Sequence, residues 1–216
     1  MSISLTLVII VLTCLISYQA FNNPEMRAKL MFRPVDISKG EYYRFFTSGL
    51  IHGDFSHLLF NMWALYIFGE TVEAIFVHPN GLFGPVMGRV AFIAFYFSAI
   101  IVANIPSYFR YKDNYAYSAL GASGATSALS LMYILFSPWD WFIFPPLPGI
   151  LIGVGFLWYS SHMDKKGADN IGHNAHLTGA IYGIAFIVIA SAILQPGLLQ
   201  LMIQKLLAGP QPFPGF

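Results

Sequence analysis

Six apolar stretches separated by polar segments dominate the chain, at roughly 3 to 21, 55 to 76, 90 to 109, 116 to 137, 141 to 162 and 174 to 195. Each is close to the run of about 20 residues that a helix needs to cross a hydrocarbon core about 30 Å thick. The pattern predicts six transmembrane helices and an all-α membrane protein. The fifth stretch carries Pro145, Pro146 and Pro148 near its start. A kinked or late-starting helix is expected there, because broken helix is tolerated at membrane depth only where neighbours satisfy its backbone. The first stretch lacks a basic leading segment and a small-residue cleavage site, so it reads as a retained span. Residues 1–200 are expected to form the membrane domain and 201–216 a short tail, with Gly209-Pro210-Gln211-Pro212-Phe213-Pro214 as a disordered end.

Composition sharpens that reading. With 56% hydrophobic residues, 10% charged residues and a mean hydropathy of +0.63, the chain is too apolar for an ordinary soluble domain of 216 residues. Its one cysteine, Cys14, excludes an intramolecular disulfide. The net charge of +1 conceals an uneven distribution: nine of the eleven basic residues fall in the first, third and fifth loops, and only Arg89 and Lys205 lie elsewhere. The positive-inside rule alone would place those loops in the cytoplasm. The first loop, about residues 22 to 54, is long and rich in aromatic side chains, with Met31-Phe32, Tyr42-Tyr43 and Phe45-Phe46 around Arg44. That mixture suits an element lying in the membrane interface, and equally an aromatic belt at the start of the second span.

Polar groups inside the spans carry the candidate chemistry, since ionisable or amide groups at membrane depth are costly. His57 and Asn61 in the second stretch are four residues apart and share one helical face. Ser123, within Gly121-Ala122-Ser123-Gly124, sits where a helix begins and unpaired N–H groups meet developing negative charge. His176 opens the sixth stretch, 53 positions later, ahead of the close-packing pair Gly179 and Gly183. Packing of the fourth and sixth spans through Gly124 and that pair would let His176 reach Ser123. Singly, each feature has a plainer reading: small-residue packing for the Gly-Ala-Ser-Gly string, interhelical glue for the His and Asn residues. Together they fall at the same end of alternate spans. A soluble hydrolase fits badly, because its GxSxG elbow needs a glycine where Ala125 stands.

Across nearly its whole length the chain resembles the rhomboid intramembrane serine proteases. The resemblance rests on Tyr43-Arg44 and Phe46-Thr47, on His52-Gly53-Asp54-Phe55-Ser56-His57-Leu58-Leu59-Phe60-Asn61-Met62, on Gly69 and Glu73, on Gly121-Ala122-Ser123-Gly124, and on Ala175-His176 with Gly179 and Gly183. It implies a six-helix rhomboid-like bundle with a long interfacial loop between helices 1 and 2. It also implies a catalytic dyad, with Ser123 as nucleophile and His176 as general base and then acid. His57, Asn61 and the Ser123 backbone N–H would form the oxyanion hole, supported by His52, Gly121, Gly124, Ser127, Gly179 and Gly183. Inactive relatives usually lack the serine or the histidine, and both are present here. Tyr43-Arg44 stands where the family often has Trp-Arg. Many members carry an aromatic residue four positions after the nucleophile, stacked on the histidine; Ser127 occupies that position. Its hydroxyl could bond the imidazole, or a ring from elsewhere could stack.

The implied substrates are single-pass transmembrane proteins, cut within or beside the helix near the membrane surface. No cofactor, metal or nucleic acid is expected; the lipid bilayer is the other partner. The resemblance places the active site on the extracytoplasmic side, against the count of basic residues, and it outweighs that count because loop one can fold into the interface and its cations can pair with its own acids, Glu25, Asp36, Glu41 and Asp54. Two other functions fit parts of the pattern: a non-proteolytic rhomboid-like scaffold that binds membrane clients, and a small transporter using His57, Asn61 and His176 as a polar path. Intact Ser123 and His176 favour the protease, and no paired, similarly interrupted segments suggest a repeat-built transporter.

Overall fold

The computed structural model describes residues 3–142, 146–166 and 172–210. Among these residues the regular elements are helical, apart from two isolated β-bridges. Helix α1 (Leu5–Asn22) begins where the Ser4 side chain accepts the Leu7 N–H. The Glu73 carboxylate accepts the Leu5 and Thr6 N–H groups at 2.9 and 2.8 Å. A carboxylate there meets both the unpaired donors and the positive end of the helix dipole. The buried stripe of α1 is Thr6, Ile9, Thr13, Ser17 and Ala20, while Leu7, Val11, Leu12 and Leu15 face outward. Small and polar residues inward with large aliphatics outward is the pattern of packing in lipid, whose tails are as apolar as leucine.

Pro24 and Pro34 open α2 (Pro24–Leu30) and α3 (Pro34–Ile37), at first-turn positions where the missing N–H breaks no helical bond. α4 (Arg44–Thr47) and a 3-10 turn (Ser48–Leu50) follow. Buried Arg44 holds these short pieces together: its Nε donates to Glu41, and its Nη1 donates to the Ala28 and Met31 carbonyls at 2.8 and 2.9 Å. Thr47 Oγ1 adds a bond to the Leu30 carbonyl.

α5 (Phe55–Ala64) runs through a single π-type turn (Leu65–Gly69) into α6 (Glu70–Val77), giving 23 continuous residues. α7 (Met87–Tyr111), α8 (Ser123–Phe136), α9 (Gly149–Lys166), α10 (His173–Leu194) and α11 (Pro196–Leu207) complete the order. Four helical segments are long and apolar enough to cross a membrane: Leu5–Asn22, Phe55–Val77, Met87–Tyr111 and His173–Leu194. α8 is apolar but has only 14 residues, and α9 carries Asp164, Lys165 and Lys166 in its last turn.

The fourth span therefore differs from the stretch 116 to 137 that hydropathy outlines. Ala119 exchanges backbone hydrogen bonds with Phe32 at 2.9 and 3.0 Å, and Gly121 has a φ of 119°, so helix cannot begin before Ser123. The fifth likewise starts at Gly149 rather than near 141; Trp141 forms a bridge with Pro148, and Phe142 N–H donates to the Leu147 carbonyl. Pro145 lies outside the described residues. Past position 200, the expected start of the tail, helix continues to Leu207, with Met202 buried and Trp139 Nε1 donating to the Leu206 carbonyl at 3.0 Å. Residues 211–216 lie outside the described residues.

α8 is the central helix, with ten of its 14 residues buried. α10 lies directly on it: a methyl group at Gly179 would overlap the Gly124 carbonyl, and one at Gly183 would overlap the Ala128 backbone. On the far side, Phe76, Phe92, Phe95 and Phe186 pack ring on ring between α6, α7 and α10.

Candidate active site

The open end of α5, α8, α9 and α10 surrounds a cavity of about 880 Å³. Ser123, His176, His57, Asn61, Ser127, Gly121 and Gly124 all line it. His52 stands behind its wall, and Gly179 and Gly183 lie in the α8/α10 contact beneath it.

Ser123 is the first residue of α8, and no side chain caps that helix. Its first N–H groups have no intrahelical partner, so they remain as donors at the cavity wall. The chain reaches Ser123 through a turn held from behind. Gly121 N–H donates to the Ser48 carbonyl at 2.9 Å, and Ala122 N–H donates to His52 Nε2 at 3.3 Å. Gly121 is required twice over: its φ is left-handed, and a Cβ there would stand 2.6 Å from His57 Cε1 and 2.8 Å from Nε2.

His52 is fully buried, and its tautomer follows from its partners. Since Nε2 accepts the Ala122 N–H, the proton sits on Nδ1 and is donated to Ser17 Oγ at 3.0 Å. Ser17 in turn donates to the Leu50 carbonyl at 3.1 Å. This chain ties α1, the 3-10 turn and the turn before Ser123 into one network. Burial first, and then the neighbouring His57, push the His52 imidazole down to about 3, against a smaller opposing pull from Asp54. The ring stays neutral, as both its hydrogen bonds require.

His57 and Asn61 project from one face of α5. Asp54 caps that helix by accepting the His57 N–H at 2.8 Å. Gly53 N–H approaches His57 Nδ1 at 3.5 Å, which leaves the ring proton on Nε2. The Asn61 amide donates one N–H to the His57 carbonyl at 2.9 Å, and its oxygen lies 3.1 Å from Thr126 Oγ1, whose one hydrogen it shares with the Ser123 carbonyl at 3.2 Å. One amide hydrogen of Asn61 is left over. Thr126, three residues after Ser123 and facing the same cavity, is a partner that sequence reasoning missed; its i+3 spacing from the serine was the available signal.

His176 enters from the first turn of α10, where its N–H donates to the Gly172 carbonyl at 3.1 Å. The Phe156 ring of α9 stacks on the imidazole, with centroids 6.0 Å apart and planes 22° apart. Ser127, one turn below Ser123, lines the cavity and is nearly buried. The ring over the histidine thus comes from α9, a helix on which hydropathy had marked no functional residue. Arg27 of α2 also lines the cavity, and its Nε is buried without a hydrogen-bond partner.

Comparison with known families makes the class of this helical membrane protein specific. The Rhomboid domain pattern matches residues 39–193, and the chain belongs to the rhomboid family. It is 29% identical over 179 residues to RHOMBOID-like protein 12, mitochondrial, of Arabidopsis thaliana, covering 76% of this chain and 51% of that protein. It is 30% identical over 98 residues to the putative rhomboid protease YdcA of Bacillus subtilis, covering 45% and 43%. With rhomboid protease GluP of the same bacterium it shares 29% identity over 155 residues, 69% of this chain and 27% of that protein. The chain spans about half the length, or less, of these relatives.

Proposed function

We propose that the protein is an intramembrane serine endopeptidase that cuts single-pass transmembrane proteins within or beside their helices. The observation that carries this reading is the convergence of Ser123, His176, His57 and Asn61, from three helices, on one cavity. His176 takes the Ser123 hydroxyl proton as Oγ bonds to the scissile carbonyl carbon, because a hydroxyl is a poor nucleophile until a base relieves it of its proton. The negative charge on the carbonyl oxygen is met by the His57 Nε2–H, the spare Asn61 amide hydrogen and the Ser123 N–H. As the C–N bond breaks, His176 gives its proton to the leaving amine. Water then repeats the cycle on the acyl-enzyme, with His176 again as base. No carboxylate takes part.

In this reading α8 and α9 join the four long segments to make six crossings, and residues 23–54 lie in the interface. A 14-residue α8 is about 21 Å long, so a helix reaching the far side of a 30 Å core begins roughly 9 Å below the near surface. The substrate's scissile bond must come down to that depth, with its helix locally unwound, since intact helix keeps its carbonyls in its own hydrogen bonds. The site opens to the extracytoplasmic side. Supporting that choice, Arg33, Lys39 and Arg44 of the first loop form ion pairs with Asp36 and Glu41.

The decisive test is cleavage of a reporter transmembrane helix by purified protein in liposomes. Wild type should cleave and take a fluorophosphonate label at Ser123; Ser123→Ala and His176→Ala, folded to the same extent, should do neither. A folded wild type that is inert on several helices and unlabelled would favour the scaffold. For orientation, Lys29→Cys in a Cys14→Ser background should react with an impermeant maleimide added to intact cells, and labelling only after lysis would reverse the assignment.

A further inference from the structure

Phe156 and Tyr159 lie one turn apart on α9, and His173 and His176 lie one turn apart on α10. Their four rings interleave. Phe156 stacks on His176, His176 meets His173 edge to face at 5.9 Å and 77°, and His173 meets Tyr159 at 5.5 Å and 79°. Matched i, i+3 spacings on two helices make this a ladder, with the proposed catalytic imidazole between the ring of Phe156 and that of His173. Elsewhere α9 is held at a few points: of its 18 residues Gly149, Gly153 and Ser160 are buried, and Asp164 pairs bidentately with Arg110 of α7 at 2.8 and 3.0 Å.

We infer that Phe156 is a positioning residue for His176, so that the aromatic ring on the imidazole comes from α9, whereas position 127 on the nucleophile's own helix carries the hydroxyl of Ser127. Two physical effects follow from a ring on the imidazole face. Offset stacking at this separation restricts rotation of the imidazole about its χ2, holding its nitrogen toward Ser123. The negative face of the phenyl quadrupole also favours the imidazolium that forms when His176 takes the Ser123 proton. Both act in the transition state more than in substrate binding, so they bear on kcat. Because the ring belongs to α9, the position of that helix and the alignment of the dyad are one variable. Moving α9 away from α10 disarms the base without touching Ser123, His57 or Asn61.

The inference rests on the Ser123/His176 reading, and its test separates the two. In the liposome assay Phe156→Ala and Phe156→Leu should lower kcat by about tenfold to a hundredfold with KM nearly unchanged. Phe156→Trp, which keeps a π face, should stay within about threefold of wild type. Ser127→Tyr placed in the Phe156→Ala background should recover much of the loss, since position 127 opens onto the same cavity and brings a ring from α8. Thermal unfolding of each variant shows whether it is folded, and Phe156→Leu serves if Phe156→Ala is not. Equal activity of the Leu, Trp and wild-type proteins, or a loss confined to KM, would overturn the inference while leaving the protease intact. If wild type proves folded but inactive, the protease reading fails, and the stack is read directly by NMR of histidine-labelled protein. The His176 ring-carbon proton should then be shifted upfield in wild type and relaxed in Phe156→Leu; no difference would overturn the stack itself.

Discussion

The two walls of the cavity are built by different physics. The α5/α8 wall is a hydrogen-bond network: Ser17 and His52 hold the turn before Ser123, Asp54 caps α5, and Thr126 fixes Asn61. The α9/α10 wall is set by rings, with Phe156, His176, His173 and Tyr159 interleaved. Hydrogen bonds are directional and costly to leave unmade in a buried place, so the first wall is the more sensitive to loss of a partner. Ring contacts have broad minima, so the second wall accepts any ring of suitable size and responds to displacement of a whole helix. In the proposed reaction the oxyanion would meet the hydrogen-bonded wall, and the proton would be carried by the ring-lined one.

The largest expected effect lies on the hydrogen-bonded wall. Asn61→Ala should lower kcat about a hundredfold to a thousandfold in the liposome assay, the usual loss for one oxyanion donor. Gly121→Ala should be as severe, because its methyl would drive His57 out of place. A tolerated Gly121→Ala would mean that the His57 ring has room to move and that this wall is not rigid. Next is Thr126→Val, which takes away the hydroxyl 3.1 Å from the buried Asn61 amide oxygen; about a tenfold loss of kcat is expected. An unchanged rate would show that Asn61 needs no help from α8.

The smallest effect is on stability and depends on pH. Folded His52 resists protonation down to about 3, whereas in the unfolded chain it titrates near 6.5. Between those values the unfolded state binds the extra proton, so stability is full above 6.5 and falls as pH drops. At pH 5 the loss amounts to about 2 kcal/mol, read as a lower unfolding temperature in detergent. His52→Gln should flatten that part of the pH dependence relative to wild type. Phe156→Leu, on the ring-built wall, should leave it unchanged; if both variants flatten it, the two walls are not independent.

Much of this was legible in the order of residues. The spacing of His57 and Asn61 needs only helix geometry to put them on one face, and both line the cavity. Gly179 and Gly183 announce a close helix contact, because only a missing Cβ lets two backbones approach so nearly. The proline run announced a late α9. What hydropathy could not show is where α8 starts. Residues 116–122 are uncharged and read as part of a span, yet Ala119 pairs with Phe32, about ninety positions earlier in the chain. His52 was visible as a histidine near the site, but its place behind the wall depends on Ser17 of α1 and Ala122 of the α8 turn arriving together.

The sequence by itself determined that the chain is a bundle of apolar helices, that it resembles a rhomboid, and which serine, histidines and asparagine are candidates for chemistry. These are properties of composition and of short, local spacings, where chain geometry alone sets neighbours. Only the tertiary structure decided that Thr126 holds Asn61, that His52 braces the nucleophile's turn, and that the ring over His176 comes from Phe156. Each of those contacts joins segments whose meeting depends on how whole helices pack, and no periodicity in one segment carries information about the face another segment turns toward it.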